Sequence, residues 1–192
     1  MSNLGTIFLA ALLVENVVLM RFLALCSYVG MTADLGQSVG MGFAVTFVTV
    51  LATAATWPIY TFILAPLGLQ FLQILVFILV IAALVQLVEF YLKKNVPGLY
   101  SAMGIYLPLI TTNCAILAVT FDNITKEYNF IESIVYAVGV SGGYLIAMVL
   151  LAGIRIRIKT SPVPKFLQGT PILFVATGLI TVAFMGFAGM IR

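Results

Sequence analysis

Residues 107–117 combine, within an apolar segment, several residue types that could carry chemistry. They read Leu-Pro-Leu-Ile-Thr-Thr-Asn-Cys-Ala-Ile-Leu and contain Cys114, one of only two cysteines in the chain. Polar and helix-breaking residues cost free energy at membrane depth, so they occur there mainly when buried in protein or functional. A second, looser stretch begins with Glu15 and Asn16 and runs on to the other cysteine, Cys26. The pattern predicts that the two stretches meet near the membrane midplane and form the functional site.

The two cysteines define what kind of metal site this chain could build. Thiolates are the usual ligands of iron–sulfur clusters, but a common cluster takes four protein ligands. Cys26 and Cys114 supply two, so a cluster requires thiolates from a partner or from a second copy. The alternative is that both are small buried apolar residues, which is the ordinary role of a lone membrane cysteine. The chain has no histidine, which removes the commonest proton shuttle and metal ligand.

The residues around Cys114 predict an interrupted helix. Pro108 lacks a backbone donor and clashes with the preceding turn, which predicts a kink or split near it. Thr111, Thr112 and Asn113 could satisfy the loosened backbone, and the helix that starts after the break could point its amides at an anionic group.

The residues that precede Cys26 predict a shared helical face. Glu15, Leu19, Phe22 and Cys26 are spaced by four, three and four residues, which in a continuous helix puts them on one side. Glu15 is a candidate for an ion path or for support of a cluster, or else lies near the outer interface. Arg21 is expected to reach the cytoplasmic edge of the span.

The composition places the chain in the membrane. It is 63% hydrophobic and 8% charged, with a mean hydropathy of +1.22, far outside the range of soluble domains. The first segment lacks a basic n-region and contains Glu15 and Arg21, which predicts a mature transmembrane helix and not a signal peptide. Nothing in the charge pattern indicates nucleic-acid binding, and the lipid bilayer is the expected surrounding.

Hydropathy predicts an all-α integral membrane protein with six transmembrane helices. About 20 apolar residues are needed to span the hydrocarbon, and six segments are long enough. They cover about 4–27, 38–64, 70–92, 99–121, 131–154 and 170–191. The separators are short, so residues 1–192 are predicted to form a single transmembrane domain.

The basic residues predict the orientation of the chain. The loops after the first, third and fifth spans hold six of them: Lys93, Lys94, Arg155, Arg157, Lys159 and Lys165. The opposite side holds Lys126 and Arg192. Because lysine and arginine accumulate on the cytoplasmic side, the chain is predicted to be multi-pass with both termini outside.

The two halves of the sequence resemble each other. Asn16 and Asn113 are 97 positions apart, and Leu69-Gln70 and Leu167-Gln168 are 98 apart. Three spans per half would make the second half enter from the opposite side. The sequence therefore predicts two inverted three-helix repeats, about 1–96 and 97–192, with helices 1 and 4 interrupted and the functional site at their interface.

Several blocks of the chain resemble the RnfA/NqrE family. They are Phe-Leu-Ala-Leu-Cys at 22–26, Gly-Ile-Tyr-Leu-Pro-Leu-Ile-Thr-Thr-Asn-Cys-Ala at 104–115 and Ala-Phe-Met-Gly-Phe-Ala-Gly at 183–189. The resemblance extends over essentially the whole chain. Within the family, the sequence is more similar to the RnfA proteins of Rnf complexes than to the NqrE proteins of Na⁺-translocating NADH:quinone reductases.

The resemblance implies a subunit of a redox-driven translocase in the bacterial cytoplasmic membrane. Such complexes pass electrons between ferredoxin and NAD⁺ and couple this to Na⁺ or H⁺ transport. It further implies that Cys26 and Cys114 hold half of an intramembrane [2Fe–2S] cluster, while an RnfE-like paralogue supplies two more cysteines. Other Rnf subunits would carry the flavins and further iron–sulfur clusters. This chain would bind no flavin and would have no activity when isolated.

Three alternatives stay open from the sequence. The chain could be the equivalent subunit of a Na⁺-translocating NADH:quinone reductase. The inverted repeat alone would also suit a secondary transporter with a midplane site built from Glu15, Thr111, Thr112 and Asn113. A structural membrane scaffold would leave both cysteines replaceable.

Overall fold

The computed structural model describes residues 4–68, 70–95, 107–162, 164 and 166–188. All regular elements in these ranges are helical. Three of the described helices are long and apolar enough to cross a membrane, namely Leu35–Leu64, Gln73–Phe90 and Phe130–Lys159, and Leu4–Val14, Leu109–Thr125 and Thr170–Gly186 are shorter apolar helices. The predicted all-α class is therefore confirmed for the described residues, and the three long apolar helices are consistent with a membrane protein, whereas the count of six spans stays a prediction.

The helices are labelled in chain order. They are α1 (Leu4–Leu9), continued by a π-helical turn at Ala10–Val14; α2 (Val17–Arg21); α3 (Leu25–Met31); α4 (Leu35–Ile59), continued by a second π-helical segment at Tyr60–Leu64; α5 (Ala65–Leu67); α6 (Gln73–Asn95), preceded by a 3-10 turn at Gln70–Leu72; α7 (Leu107–Thr111); α8 (Cys114–Thr125); α9 (Phe130–Lys159); and α10 (Thr170–Ala188).

An antiparallel pair formed by α4 and α9 organises the packing. Gly42 of α4 faces Leu145 of α9, where an added Cβ would lie 2.9 Å from the leucine Cγ. At the other end of the pair, the Trp57 and Phe130 rings meet edge to face with centroids 5.5 Å apart. Small residues let membrane helices approach closely enough to gain dispersion contacts. The interrupted helices pack against this pair.

The first helix runs along α9 at very short range. A Cβ on Gly143 would lie 2.7 Å from the Leu12 carbonyl oxygen, and one on Gly139 would lie 2.8 Å from Ala11 Cβ. Both contacts are with the π-helical continuation of α1. Glycine at these two positions is therefore required by space.

The first helix is interrupted at Glu15 and Asn16. The π-helical turn ends at Glu15, and Asn16 adopts an extended backbone that begins α2. The Asn16 side-chain oxygen accepts from the Val18 and Leu19 amides at 3.2 and 3.3 Å, as an N-cap does. Its Nδ2 donates to the Gly143 carbonyl at 2.8 Å. Asn16 is fully buried, so one side chain both starts α2 and ties it to α9.

The second interruption lies at Thr112 and Asn113. Asn113 adopts an extended backbone and its side-chain oxygen accepts from the Ala115 amide at 3.0 Å, capping α8. The two matched asparagines thus have the same role at the start of two helices. The inverted repeat itself stays a prediction, and helices 1 and 4 are both interrupted in the described ranges.

One sequence-based expectation about these breaks needs correction. Glu15 and Cys26 do not share one continuous helical face, because the chain leaves the helix at Glu15 and Asn16 and again between Arg21 and Leu25. The break expected near Pro108 lies at Thr112 and Asn113, directly after α7, the helix that contains Pro108. The segment 96–106 before it lies outside the described residues.

Adding a methyl group at Gly143 is expected to destabilise the fold. Gly143→Ala would press a Cβ against the Leu12 backbone and the Asn16 side chain, and overpacking of this kind costs about 1–3 kcal/mol. The matched control is Gly153→Ala on the same helix, because a Cβ at Gly153 meets nothing within 4 Å. The measurement is the thermal unfolding midpoint in detergent, followed by circular dichroism. Equal midpoints for the two variants would contradict the packing described.

Removing the two asparagine caps is expected to have unequal effects. Each of Asn16→Ala and Asn113→Ala loses a cap worth about 1 kcal/mol. Asn16→Ala also loses the bond to Gly143, worth about another 1 kcal/mol, so it should unfold more readily in the same assay. Asn123→Ala is the control for lost volume, since the Asn123 side chain is buried without a hydrogen-bond partner among the residues described. A lower midpoint for Asn113→Ala than for Asn16→Ala would contradict the expectation.

Candidate functional site

The structure brings the two cysteine-bearing segments into contact. Cys26 is the second residue of α3 and is exposed, and Cys114 is the first residue of α8 and is partly buried. The Ala24 amide donates to the Cys114 Sγ at 2.8 Å. A backbone donor two residues before one cysteine therefore touches the sulfur of the other.

A strained turn presents the Ala24 amide. Phe22 and Ala24 both have left-handed backbones, with φ of 53° and 60°. For residues with a Cβ this conformation costs roughly 1–2 kcal/mol each. The buried Ser27 hydroxyl supports the turn by donating to the Ala24 carbonyl at 3.0 Å. Backbone strain held in place by its surroundings in this way is typical of functional segments.

The Tyr144 hydroxyl of α9 lies at the centre of this arrangement. It shares a hydrogen bond of 2.9 Å with Ser27 and is almost fully buried. Through Ser27, it links α9 to α3, the helix that carries Cys26.

Asn113 and Cys114 also border a largely apolar cavity of about 260 Å³ between α6 and the start of α8. The residues that line it include Ile78, Ile81, Thr111, Thr112, Asn113 and Cys114. The Asn113 Nδ2 is buried and satisfies no hydrogen-bond geometry with the described part of the chain, although the Tyr144 hydroxyl is near. This places one amide donor next to Cys114.

Two ion pairs join the first segment to the end of α8 that is remote from Cys114. Arg21 Nη1 lies 2.9 and 2.7 Å from the two carboxylate oxygens of Asp122, and the Tyr136 hydroxyl donates to the Asp122 Oδ2 at 3.2 Å. Lys126 pairs with Glu15, and its ammonium lies 4.7 Å from the centroid of the Tyr136 ring. The α2 segment is thereby attached to α8 near both of its own ends.

The predicted site residues fall into two groups. Cys26, Cys114, Thr111, Thr112 and Asn113 lie around the contact between α3 and α8 or along the adjoining cavity. Asn16 is used in capping and helix packing, and Glu15 is paired with Lys126. Pro108 is in α7, and its side chain lies outside what is described. Glu15 is thus positioned to bind a cation, but that cation is a lysine of the same chain.

Sequence reasoning missed four residues that shape the site. Asp122 and Lys126 stand at the end of an apolar run that predicts a loop there, whereas α8 continues to Thr125. Arg21, expected at the cytoplasmic edge, pairs with Asp122. Tyr144 has no charge to mark it. One sequence signal could have indicated these ion pairs. The chain has very few charged residues, and two acids and two bases of opposite charge, Glu15 with Lys126 and Asp122 with Arg21, occur in or beside apolar segments.

The donor set fits half of an iron–sulfur cluster. No group of three or more cysteine, aspartate, glutamate or histidine side chains that could hold a metal occurs in the described ranges, so the chain offers two thiols at this point. One thiol is exposed, the other already accepts an amide, and hydrogen bonds to cluster sulfurs are a recognised way to tune a cluster. The exposed Cys26 thiol, and the Cys114 thiol that borders the cavity, are both open to ligation completed by another chain.

Known proteins resemble this chain over its full length. The family model for "Rnf-Nqr subunit, membrane protein" matches residues 4–191. The chain is 54% identical over 184 residues to the subunit designated A in the Na(+)-translocating ferredoxin:NAD(+) oxidoreductase complex of Acetobacterium woodii, covering 96% of both chains. It is 48% identical over 191 residues to the corresponding subunit of the ion-translocating oxidoreductase complex of Syntrophotalea carbinolica, covering 100% of this chain and 99% of the relative.

A third relative has a different ion in its name. The corresponding subunit of the proton-translocating ferredoxin:NAD(+) oxidoreductase complex of Clostridium ljungdahlii is 44% identical over 191 residues, covering 100% of this chain and 99% of the relative. The family match covers nearly every residue, and these relatives are 44–54% identical to the chain. The chain therefore belongs to the Rnf-Nqr family of membrane proteins.

Proposed function

We propose that this chain is the RnfA subunit of an ion-translocating ferredoxin:NAD⁺ oxidoreductase of the Rnf type. Full-length relatives named for the corresponding subunit support the assignment over the equivalent subunit of a Na⁺-translocating NADH:quinone reductase. As part of an enzyme complex, the chain would work in the bacterial cytoplasmic membrane, with six spans and both termini outside. Its relatives are named for Na⁺ or for protons, so the shared step proposed here is ion translocation driven by electron transfer.

Within the complex, the proposed task of this chain is to hold half of a [2Fe–2S] cluster through Cys26 and Cys114. The observation that carries this proposal is the 2.8 Å contact between the Ala24 amide and the Cys114 Sγ, because it joins the two cysteine segments into one thiol-bearing surface. When bound, the cluster would supply one-electron transfer. An RnfE-like paralogue would complete the ligand set, and flavins and further clusters would belong to other subunits.

The remaining residues of the site would orient the thiols and shield them from water. The Ala24 amide donates to the Cys114 Sγ and would hold that sulfur in place. The Asn113 Nδ2 is placed to donate to an acceptor at the same site. The apolar side chains of Ile78 and Ile81 would exclude water from the cavity beside Cys114, which lowers the local dielectric and strengthens these polar contacts.

One observation favours a second candidate, a secondary transporter. Broken helices 1 and 4, each restarted by a buried asparagine, are the usual surroundings of midplane transport sites. A transporter would move its solute as an isolated chain in vesicles, without a redox partner. The redox proposal expects no such activity, and the Glu15 carboxylate that a cation would need is already paired with Lys126.

The cysteines are expected to be required for cluster assembly. In a complex purified with Cys26→Ala and Cys114→Ala together, the intramembrane [2Fe–2S] paramagnetic signal should disappear, because half of the thiolate ligands would be gone. Ferredoxin-dependent NAD⁺ reduction should be lost with it. The measurement is electron paramagnetic resonance of the reduced complex, with iron content determined in parallel.

The control for that experiment is Ser161→Ala, a similar loss of one polar atom at an exposed position. It should leave assembly, signal and turnover unchanged. A full [2Fe–2S] signal and full turnover in the double cysteine variant would overturn the proposed function.

A further inference from the structure

We propose that the ion pair between Arg21 and Asp122, together with Tyr136, is a positioning clamp that sets how the two cysteine-bearing segments face each other. The inference rests on the proposed function only in taking those cysteines as the site. The clamp residues are positioning residues, since they act through the helices on which the cysteines lie.

The clamp connects the same two segments as the cysteines do. Arg21 is the last residue of α2 and stands five positions before Cys26, across the turn at Phe22 and Ala24. Asp122 is eight positions after Cys114 in α8, which is about 12 Å along a helix. The ion pair and the contact from Ala24 to Cys114 are therefore two separate attachments between the segments. Two attachments at different points fix the angle between the two segments as well as the distance between them.

The segment formed by α2 and α3, which carries Arg21 and Cys26, has little rigidity of its own. The α2 helix has five residues and α3 has seven, and helices this short are marginal without tertiary support. Between them the backbone is left-handed at two residues that have side chains. The placement of Cys26 therefore depends on what holds this segment from outside.

Asp122 is well placed to hold the segment in position. Its side chain is only 10% exposed, and it receives bonds from Arg21 on α2 and from Tyr136 on α9. A carboxylate largely removed from solvent needs such partners, because an unpaired charge inside a membrane protein is costly. Charge-assisted bonds from one guanidinium nitrogen to both oxygens are also stronger than neutral ones. Three helices thus meet at one carboxylate, near the opposite end of α8 from its cysteine.

The first test measures the thiols without a cluster. In the cluster-free full-length chain in lipid nanodiscs, the modification rates of Cys114 and Cys26 by a maleimide are compared by peptide mass spectrometry. Arg21→Gln and Asp122→Asn should raise the rate at Cys114 relative to that at Cys26, because the turn whose Ala24 amide contacts the Cys114 sulfur is released. Cys26 is already exposed, so release of its segment should change its modification rate much less than that of Cys114.

Matched controls separate the clamp from a loss of charge. Arg157→Gln and Asp34→Asn remove the same charges at exposed positions and should leave the ratio unchanged. Arg21→Lys keeps the charge and should fall between the native chain and Arg21→Gln. The double variant Arg21→Asp with Asp122→Arg restores an ion pair and should recover the native ratio.

The second test reads the cluster in the assembled complex. Arg21→Gln and Asp122→Asn should retain a [2Fe–2S] signal but broaden it or shift its g values, since the thiolates would no longer be held at one angle. A native modification ratio and a native spectrum in both variants would overturn the clamp. Persistence of the cluster in the cysteine variants would instead overturn the proposed function, and the modification ratios would still decide the clamp.

Discussion

A bilayer offers no water to the backbone groups freed at a helix break, so each break has to be satisfied by the protein itself. In this chain, asparagine meets that constraint twice. Asn16 and Asn113 each accept backbone amides at the first turn of the next helix, and Asn16 also donates to the carbonyl of Gly143. These side chains satisfy the backbone at the two breaks. Cys114 begins the helix after the Asn113 break, whereas Cys26 lies on α3, beyond α2 and a further break.

These helix breaks give a structural role to the four charged residues of the two ion pairs. Once the first apolar segment is divided into short helices, its second half is no longer held by helix continuity. The pairs from Arg21 to Asp122 and from Lys126 to Glu15 attach that half to the end of α8. The contact from Ala24 to Cys114 then completes the attachment at the thiols. Each of these polar residues would cost free energy if buried alone. Together they connect the segments that form the candidate site.

The sequence was informative about the helical class of the protein and about the two helix starts at Asn16 and Asn113, because hydropathy and the spacing of these asparagines are local or periodic signals. It did not predict the left-handed turn, since neither Phe22 nor Ala24 is a residue that favours it. It also missed the partners of Arg21 and Glu15, which are 101 and 111 positions away. Such pairings follow from the three-dimensional packing of α8 against α2, which no spacing rule encodes. The expectation of one continuous face from Glu15 to Cys26 was wrong because it assumed an unbroken helix.

If this chain supplies half of a metal centre, the other half has to come from another chain. The deciding measurement is the iron and acid-labile sulfide content of the chain purified alone and as a pair with its RnfE-like partner. We expect about two irons and two sulfides per pair, with a [2Fe–2S] signal on reduction, and no cluster in the chain alone. A stoichiometric cluster in the isolated chain, or none in the intact pair, would contradict a shared centre.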